Sequence, residues 1–430
     1  MPDRALTRER VLIPPALTRR TDFPLLQHQP QLVFLDSAAS THKPRVVIDA
    51  ERQFYTTAYG PVHRSLYDLG ATASEQFEAT RAAVAQFIGA DAPEIIFTHN
   101  ATEALNLVAW IEAARLKAGD EIMLSVAEHH SNLLPWQRLA CQKALQLVWI
   151  EVTPDQQFDY EDFTKKLSAR TKLVAVTQVS NVLGFVSPLS RIIPAAHRVG
   201  ARVVVDAAQS AARLPIDVGA LKADYLVATG HKMYAPTGTG FLYARQELLA
   251  QAQPMIVGGG IVQRVTRQSA LWHDGPARFE AGTPHSAGIV GLEAALRYLT
   301  ALGMEKVWRH EQALVQYAFT ALARQPGVTL YGPPLGADRA GIFSFQVTAG
   351  GASLHSHDVV AWANEFQVAL RGGHHCAQPL LATLGVPELV RASTGIYTTT
   401  EDIDALLRAI EAVQARFGKF QKNKATKATS

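Results

Sequence analysis

Cysteine is nearly absent from this chain: two residues in 430, Cys141 and Cys376. So few exclude a disulfide scaffold and fit a reducing compartment. A chain this long buries a core large enough to fold without such staples. Long hydrophobic runs are also missing; none approaches the ~18 consecutive apolar residues of a membrane-crossing helix. Charge of one sign is not in excess, with 41 Lys and Arg against 38 Asp and Glu and a net charge of +3. No basic stripe stands out, which argues against nucleic acid or a membrane surface as partner. The arginine-rich start, MPDRALTRERVLIPPALTRR, has no apolar core, because Pro14 and Pro15 break its greasy stretch, and is not read as a secretory signal. Asp3 and Glu9 weigh against an organelle transit peptide. These absences leave a cytoplasmic globular protein of two or three domains.

What is present has a clear rhythm. Between about residues 94 and 244, short β-rich runs alternate with helical patterns: EIIFT (94–98), EIMLSV (121–126), LQLVWIEV (145–152), KLVAVTQV (172–179), ARVVVDA (201–207) and YLVAT (225–229). Several runs are continuously apolar, as strands are when helices cover both faces of a mostly parallel sheet. Residues 101–118 read as one crossover helix stopped by Gly119. After about residue 290 the order changes to two helices (287–301 and 304–325), strands at 329–332, 341–347 and 368–371, and a closing helix from about 401 to 417. The spacing predicts a large α/β domain followed by a smaller α+β domain. The polar, basic last ten residues, QKNKATKATS, read as a disordered tail.

In open α/β sheets, ligands sit beyond the carboxyl ends of the strands. The predicted strands are followed by HNATEALN, AEHHSN, SNVLG, Asp206 with AAQ, and GHKMYAPTGTG. Each has a bland reading: Thr102 as a helix cap, Asp206 as a satisfied structural carboxylate, His129 and His130 as a polar loop, Lys232 as a solvated lysine. Together they put an acid, an amine, an imidazole, an amide and several hydroxyls along one sheet edge. That set suits a phosphorylated, aromatic, electrophilic cofactor.

The motifs LDSAAS (35–40), YGPVHR (59–64), NATEALN (100–106), AEHHSN (127–132), SNVLG (180–184), VDAAQ (205–209), TGHKMYAPTGTG (229–240), RFEAGTP (278–284), RGGHHCAQP (371–379) and RAS…Y (391–397) occur in this order. The chain thereby resembles the class V aminotransferases of fold type I, and among them the Suf-type (group II) cysteine desulfurases, over about residues 33–417. The resemblance implies pyridoxal 5′-phosphate as cofactor and a mostly parallel sheet of the seven-stranded type. It also implies an N-terminal segment (1–32) joining the small domain, a large cofactor-binding domain (33–288), a small domain (289–418) and a tail (419–430).

It implies roles as well. Lys232 would hold the cofactor and shuttle protons at the substrate Cα, Asp206 would pair with the ring nitrogen, and His129 would stack on the ring. Gln209 and Asn181 would contact the ring oxygen and substrate. Thr102, Thr229 and His231 would hold the phosphate, with Thr283 reaching in from the second subunit of a homodimer. Arg391 would clamp the carboxylate of L-cysteine, and His63 and Arg371 would line the pocket. Cys376 would take sulfur as a persulfide and pass it to an acceptor protein, for example in iron–sulfur cluster assembly. Selenocysteine or cysteine sulfinate is the alternative substrate, and another reaction of the same family, such as amino-group transfer, the alternative activity.

Departures from the pattern are Thr229 in place of serine, Ala101 in place of threonine, and differences at Gly372, Thr398 and His285. Gly372 and Gly373 read as a flexible segment able to swing the Cys376 thiol, whereas Cys141 reads as a buried small hydrophobe in LACQKALQLV. No metal is expected, since three adjacent residues such as His374, His375 and Cys376 rarely converge on one ion.

Overall fold

A computed structural model describes Leu17 and residues 20–63 and 66–428; the reading of the arginine-rich start falls almost wholly outside these residues. The short strand β1 (Val33–Phe34) leads to β2 (Ile95–Thr98), β3 (Glu121–Ser125), β4 (Gln146–Ile150), β5 (Thr171–Thr177), β6 (Arg202–Asp206), β7 (Tyr225–Thr229) and β8 (Gly240–Ala244). The last seven form one sheet in the order β2-β8-β7-β6-β5-β3-β4. Only β8 runs against its neighbours. Strands β2, β3, β5, β6 and β7 therefore all end at one edge.

The central strands are buried on both faces: Val203, Val204 and Val205 of β6 and Leu226 and Val227 of β7 have no exposed surface. That explains their unbroken apolar runs. Strand β8 was not among the predicted runs, because its sequence GFLYA follows directly on a glycine-rich turn. The crossover helix Ala101–Ala113 starts at Asn100, whose side chain accepts from Glu103 N at 3.0 Å. It ends five residues before the expected Ala118 because the amides of Arg115 and Leu116 both turn back onto Glu112 O.

A hairpin of β9 (Val262–Val265) and β10 (Ala270–Trp272) precedes helix Ser286–Leu302, which packs on helices Arg45–Gln53 and Asp68–Ile88. The smaller sheet holds β11 (Val328–Tyr331), β12 (Ile342–Ala349) with its short partner β13 (Ala352–Ser353), β15 (Arg371–Gly373) and β16 (Leu389–Ser393), in the order β11-β12-β16-β15. The expected strand 368–371 is divided: β14 (Val368–Ala369) pairs with β1, while Arg371 enters β15. The N-terminal segment is fastened to the last helix by Arg20, which reaches Leu32 O and the Asp402 carboxylate.

Two expectations need correction. The last helix runs Thr400–Ala428, past the expected end at 417 and through most of the segment read as a disordered tail. Gln, Lys and Ala favour the helix, and neither glycine nor proline follows Gly418 to stop it. Cys141 is exposed rather than buried. Its helix, Leu134–Lys143, turns Trp136, Leu139 and Ala140 inward, and position 141 falls off that stripe. Among the described residues no single helix is long and apolar enough to cross a membrane.

Candidate active site

The edge where β2, β3, β5, β6 and β7 end opens into a cavity of about 240 Å³. Its walls include His129, Asn181, Asp206, Gln209, Thr102, Thr229, His231, Lys232, Arg371, Cys376 and Arg391. Eleven of the thirteen expected site residues thus meet in one place, from segments nearly 290 positions apart. The other two, His63 and Thr283, line a second cavity of about 750 Å³ with Gly259, Gly260 and Glu280. Within one chain, then, the expectation that His63 lines the same pocket is not met. His63 instead lies 3.7 Å from Glu78, in left-handed backbone.

Asp206 ends β6 and is 4 % exposed. One of its oxygens accepts from Ala208 N at 2.9 Å. Burial holds its pKa above the usual carboxylate range, although Lys232 opposes the shift; a cationic partner in the cavity would relieve that cost. Lys232 ends the short turn Gly230–Lys232 after β7. Burial, against the pull of Asp206, brings its amine down to about 8, so a minor but usable fraction is neutral and nucleophilic near neutral pH. Burial and then the charge of Lys232 push His129 to about 3. Its Nδ1 accepts from Ser131 N at 3.1 Å, which leaves the proton on Nε2. His129 therefore offers a neutral ring.

Hydroxyls gather at the start of helix Ala101–Ala113. Thr102 Oγ1 lies 2.7 Å from Ser131 Oγ, and Thr229 Oγ1 lies 2.8 Å from His231 Nδ1. Together with the helix start, these groups could hold a phosphate dianion. Gln209 Nε2 donates to Ala38 O at 2.8 Å, which fixes the amide so that its oxygen stays available.

Another wall of the cavity is built on β16. Arg391 is 3 % exposed. It donates to Asn181 O at 2.9 Å and to Asp36 Oδ1 at 3.2 Å, while its buried Nε has no partner. Burial lowers its pKa to about 10, so it remains a cation near neutral pH. Arg371, paired with Arg391 across the β15–β16 ladder, donates to the other oxygen of Asp36 at 3.1 Å. Asp36 thereby offsets the repulsion of two adjacent guanidiniums. The Arg391 guanidinium lines the cavity and could meet an incoming carboxylate.

Cys376 is half-buried and is not on a swinging segment. Gly372 and Gly373 pair with Val390 and Leu389 in β15–β16, so the glycines serve a strand and not a hinge. His375 and Cys376 both occupy left-handed backbone, at φ 50° and 56°. Side chains and amides from three directions hold that strained pair. Asn181 Nδ2 donates to His375 O at 2.8 Å, His130 N donates to Cys376 O at 2.8 Å, and Cys376 N donates to His374 Nδ1 at 3.2 Å. Asp36 and Ser131 were not singled out from the sequence, although both lie within quoted motifs. Ser131 adjoins the histidine pair, but nothing local links Asp36 to Arg391, 355 positions away.

Among known families, the Aminotransferase class-V pattern matches residues 33–406. The chain belongs to this family. A cysteine desulfurase of Dickeya dadantii (strain 3937) is 43% identical over 406 residues, which cover 93% of this chain and 97% of that one. The apo structure of a cysteine desulfurase from Thermococcus onnurineus NA1 superimposes with a TM-score of 0.87 at 38% identity, over 92% of this chain and 97% of the other. A C-DES variant with glycine covalently linked to its PLP cofactor matches with a TM-score of 0.79 at 25% identity, over 91% and 99% of the two chains. The fold described above is thus that of a class V enzyme of fold type I.

Proposed function

We propose that this chain is a pyridoxal-phosphate-dependent cysteine desulfurase of the Suf-type branch that converts L-cysteine to L-alanine and stores the sulfur on Cys376. The observation that carries this reading is a half-buried thiol held in the same cavity as a buried amine, a buried acid and an arginine with an unused donor. Amino-group transfer, the alternative, has no use for that thiol.

The residues fit the cofactor. Lys232 would hold it, Asp206 would face its ring nitrogen, the neutral His129 would cover its face, and Thr102, Thr229 and His231 would take its phosphate. When bound, pyridoxal phosphate supplies an electron sink for the substrate's carbon atoms. Arg391 and Asn181 would fix the substrate carboxylate, and the released Lys232 amine would move the proton at Cα. The Cys376 thiolate then attacks the substrate sulfur. An S–S bond forms as the C–S bond breaks, the carbon takes the electron pair and a proton, and alanine leaves. One persulfide on Cys376 balances the step, and a thiol acceptor protein clears it. Mass spectrometry of the protein after L-cysteine treatment tests this reading: a single added sulfur is expected on the Cys376 peptide, and its absence there would refute the assignment.

Arg391→Ala should raise the KM for cysteine about ten- to a hundredfold, the range of a charge-assisted hydrogen bond, while cofactor affinity stays near normal. Arg391→Lys should recover only part of the loss, because an ammonium cannot reproduce the planar fork. An unchanged KM in the alanine variant would refute the clamp.

The homodimer belongs to the same proposal. His63 and Thr283 share a cavity apart from the catalytic one, and Tyr55, Tyr59 and Leu66 near that segment are exposed. Such apolar side chains are suited to burial against a second copy, which would bring Thr283 to the partner's phosphate cup. Sedimentation should give a dimer; a fully active monomer would rule it out. A cytoplasmic location and a role in iron–sulfur cluster assembly complete the proposal, supported by the scarcity of cysteine and the desulfurase reading.

A further inference from the structure

Immediately after the LDSAAS motif lies a lysine that the chemistry above does not use. Lys43 is half-buried, and among the described residues no carboxylate lies within ion-pair distance of it. Its Nζ donates instead to two carbonyl oxygens, Thr41 O at 2.6 Å and His231 O at 3.2 Å. The second is the carbonyl of the peptide bond that carries Lys232. The same oxygen also receives Thr41 N at 2.9 Å, Thr41 Oγ1 at 3.1 Å and Ser40 Oγ at 3.3 Å. Four donors from one short segment converge on a single carbonyl. Thr41 Oγ1 in turn accepts from Tyr234 N at 2.9 Å, two residues beyond Lys232. Tyr234 stands in left-handed backbone at φ 63°, a conformation a bulky residue adopts only where its surroundings enforce it.

We propose that Lys43 is a positioning residue for Lys232: with Thr41 it pins the His231–Lys232 peptide and so fixes the root of the cofactor-holding side chain. Burial disfavours the Lys43 cation and brings its pKa down to about 8, with Glu51 opposing the shift. A half-buried ammonium whose hydrogen bonds go only to carbonyls contributes little to the fold. What the amine adds is direction. The Lys232 amine has to serve a covalent linkage and then a proton transfer at Cα. Both depend on where its four-carbon stem is rooted, and small displacements of reacting groups are expensive in rate.

This inference rests on the desulfurase reading for its catalytic readout but not for its structural one. The test uses the full-length holoenzyme with Lys43→Met, Lys43→Arg and Thr41→Val. In Lys43→Met, kcat should fall about tenfold and KM for cysteine should stay within about twofold, as expected for a misplaced proton carrier with an intact carboxylate clamp. Amide hydrogen exchange in the 229–235 peptide should rise about tenfold while that of β6 stays unchanged, a local loosening and not a global one. Lys43→Arg should restore part of both, and Thr41→Val should reproduce the exchange change. Wild-type kcat and exchange in Lys43→Met and Thr41→Val would overturn the proposal. So would faster exchange spread evenly through β6 and β7 with a lowered Tm, which would mark a merely structural lysine. If Lys43→Met does not fold, the same readouts on Thr41→Val decide the matter. If wild-type protein releases no alanine from cysteine, the desulfurase reading fails, and the exchange data still judge the clamp.

Discussion

Cys376→Ser is expected to keep the cofactor and its visible spectrum while alanine formation from cysteine falls about a hundredfold or more. A serine hydroxyl stays protonated near neutral pH, where a thiol ionises to a useful extent, and oxygen cannot store sulfur as a persulfide. The groups that hold cofactor and substrate are not disturbed. Asp206 and Arg391 have their own hydrogen-bond partners, and the hydrogen bonds of residue 376 seen here are made by its backbone. The measurement is a parallel assay of both proteins for alanine, with the spectrum recorded. Release of alanine by the serine variant at the wild-type rate would make Cys376 a bystander.

Lys232→Ala should lose covalent attachment altogether. Borohydride should then leave no cofactor fixed to a peptide, and turnover should drop about 10²–10⁴-fold, the span of a positioned acid–base group. The neighbouring half-buried lysine cannot substitute, since Lys43 is tied to the carbonyls behind the turn. The amine's pKa of about 8 adds a pH dependence. Cofactor attachment to cofactor-free wild-type protein requires the neutral amine, so its rate should climb with pH below about 8 and level off above. A cofactor trapped on another lysine in the variant, or an attachment rate independent of pH from 6 to 9, would contradict the assignment.

Much of this site was legible in the sequence because the sheet makes it so. Continuous apolar runs such as VVV at 203–205 mark strands covered on both faces, and polar residues directly after such runs must face the common edge. That rule brings Asp206, His129 and Lys232 to one edge, and the resemblance supplies their roles. The remainder depends on contacts that sequence order does not encode. The pairing of β15 with β16 brings Arg371 and Arg391 together, and a backbone bridge from Asp36 to Ser393 brings the carboxylate to both. Strand β16, which carries Arg391, was itself overlooked, as was β8 behind its glycine turn. The glycines before Cys376 were misread for a physical reason. Glycine's backbone freedom serves equally for motion and for close approach, and at Gly372 an added Cβ would stand 2.9 Å from Ser356 Oγ. Cys141 was misread because an apolar sequence neighbourhood does not say which way one helical position faces.

The fastening of His375 and Cys376 has a consequence for what happens after alanine leaves. A sulfur atom on a tethered loop cannot be carried off by the loop's own movement. Delivery is then an encounter between two molecules, and the reach has to come from the recipient. Its thiolate must enter the cleft far enough to approach the terminal sulfur in line with the S–S bond. At low acceptor concentration the overall rate should therefore rise in proportion to acceptor and then saturate. Small thiols able to enter the same cleft should compete with a protein acceptor for the stored atom.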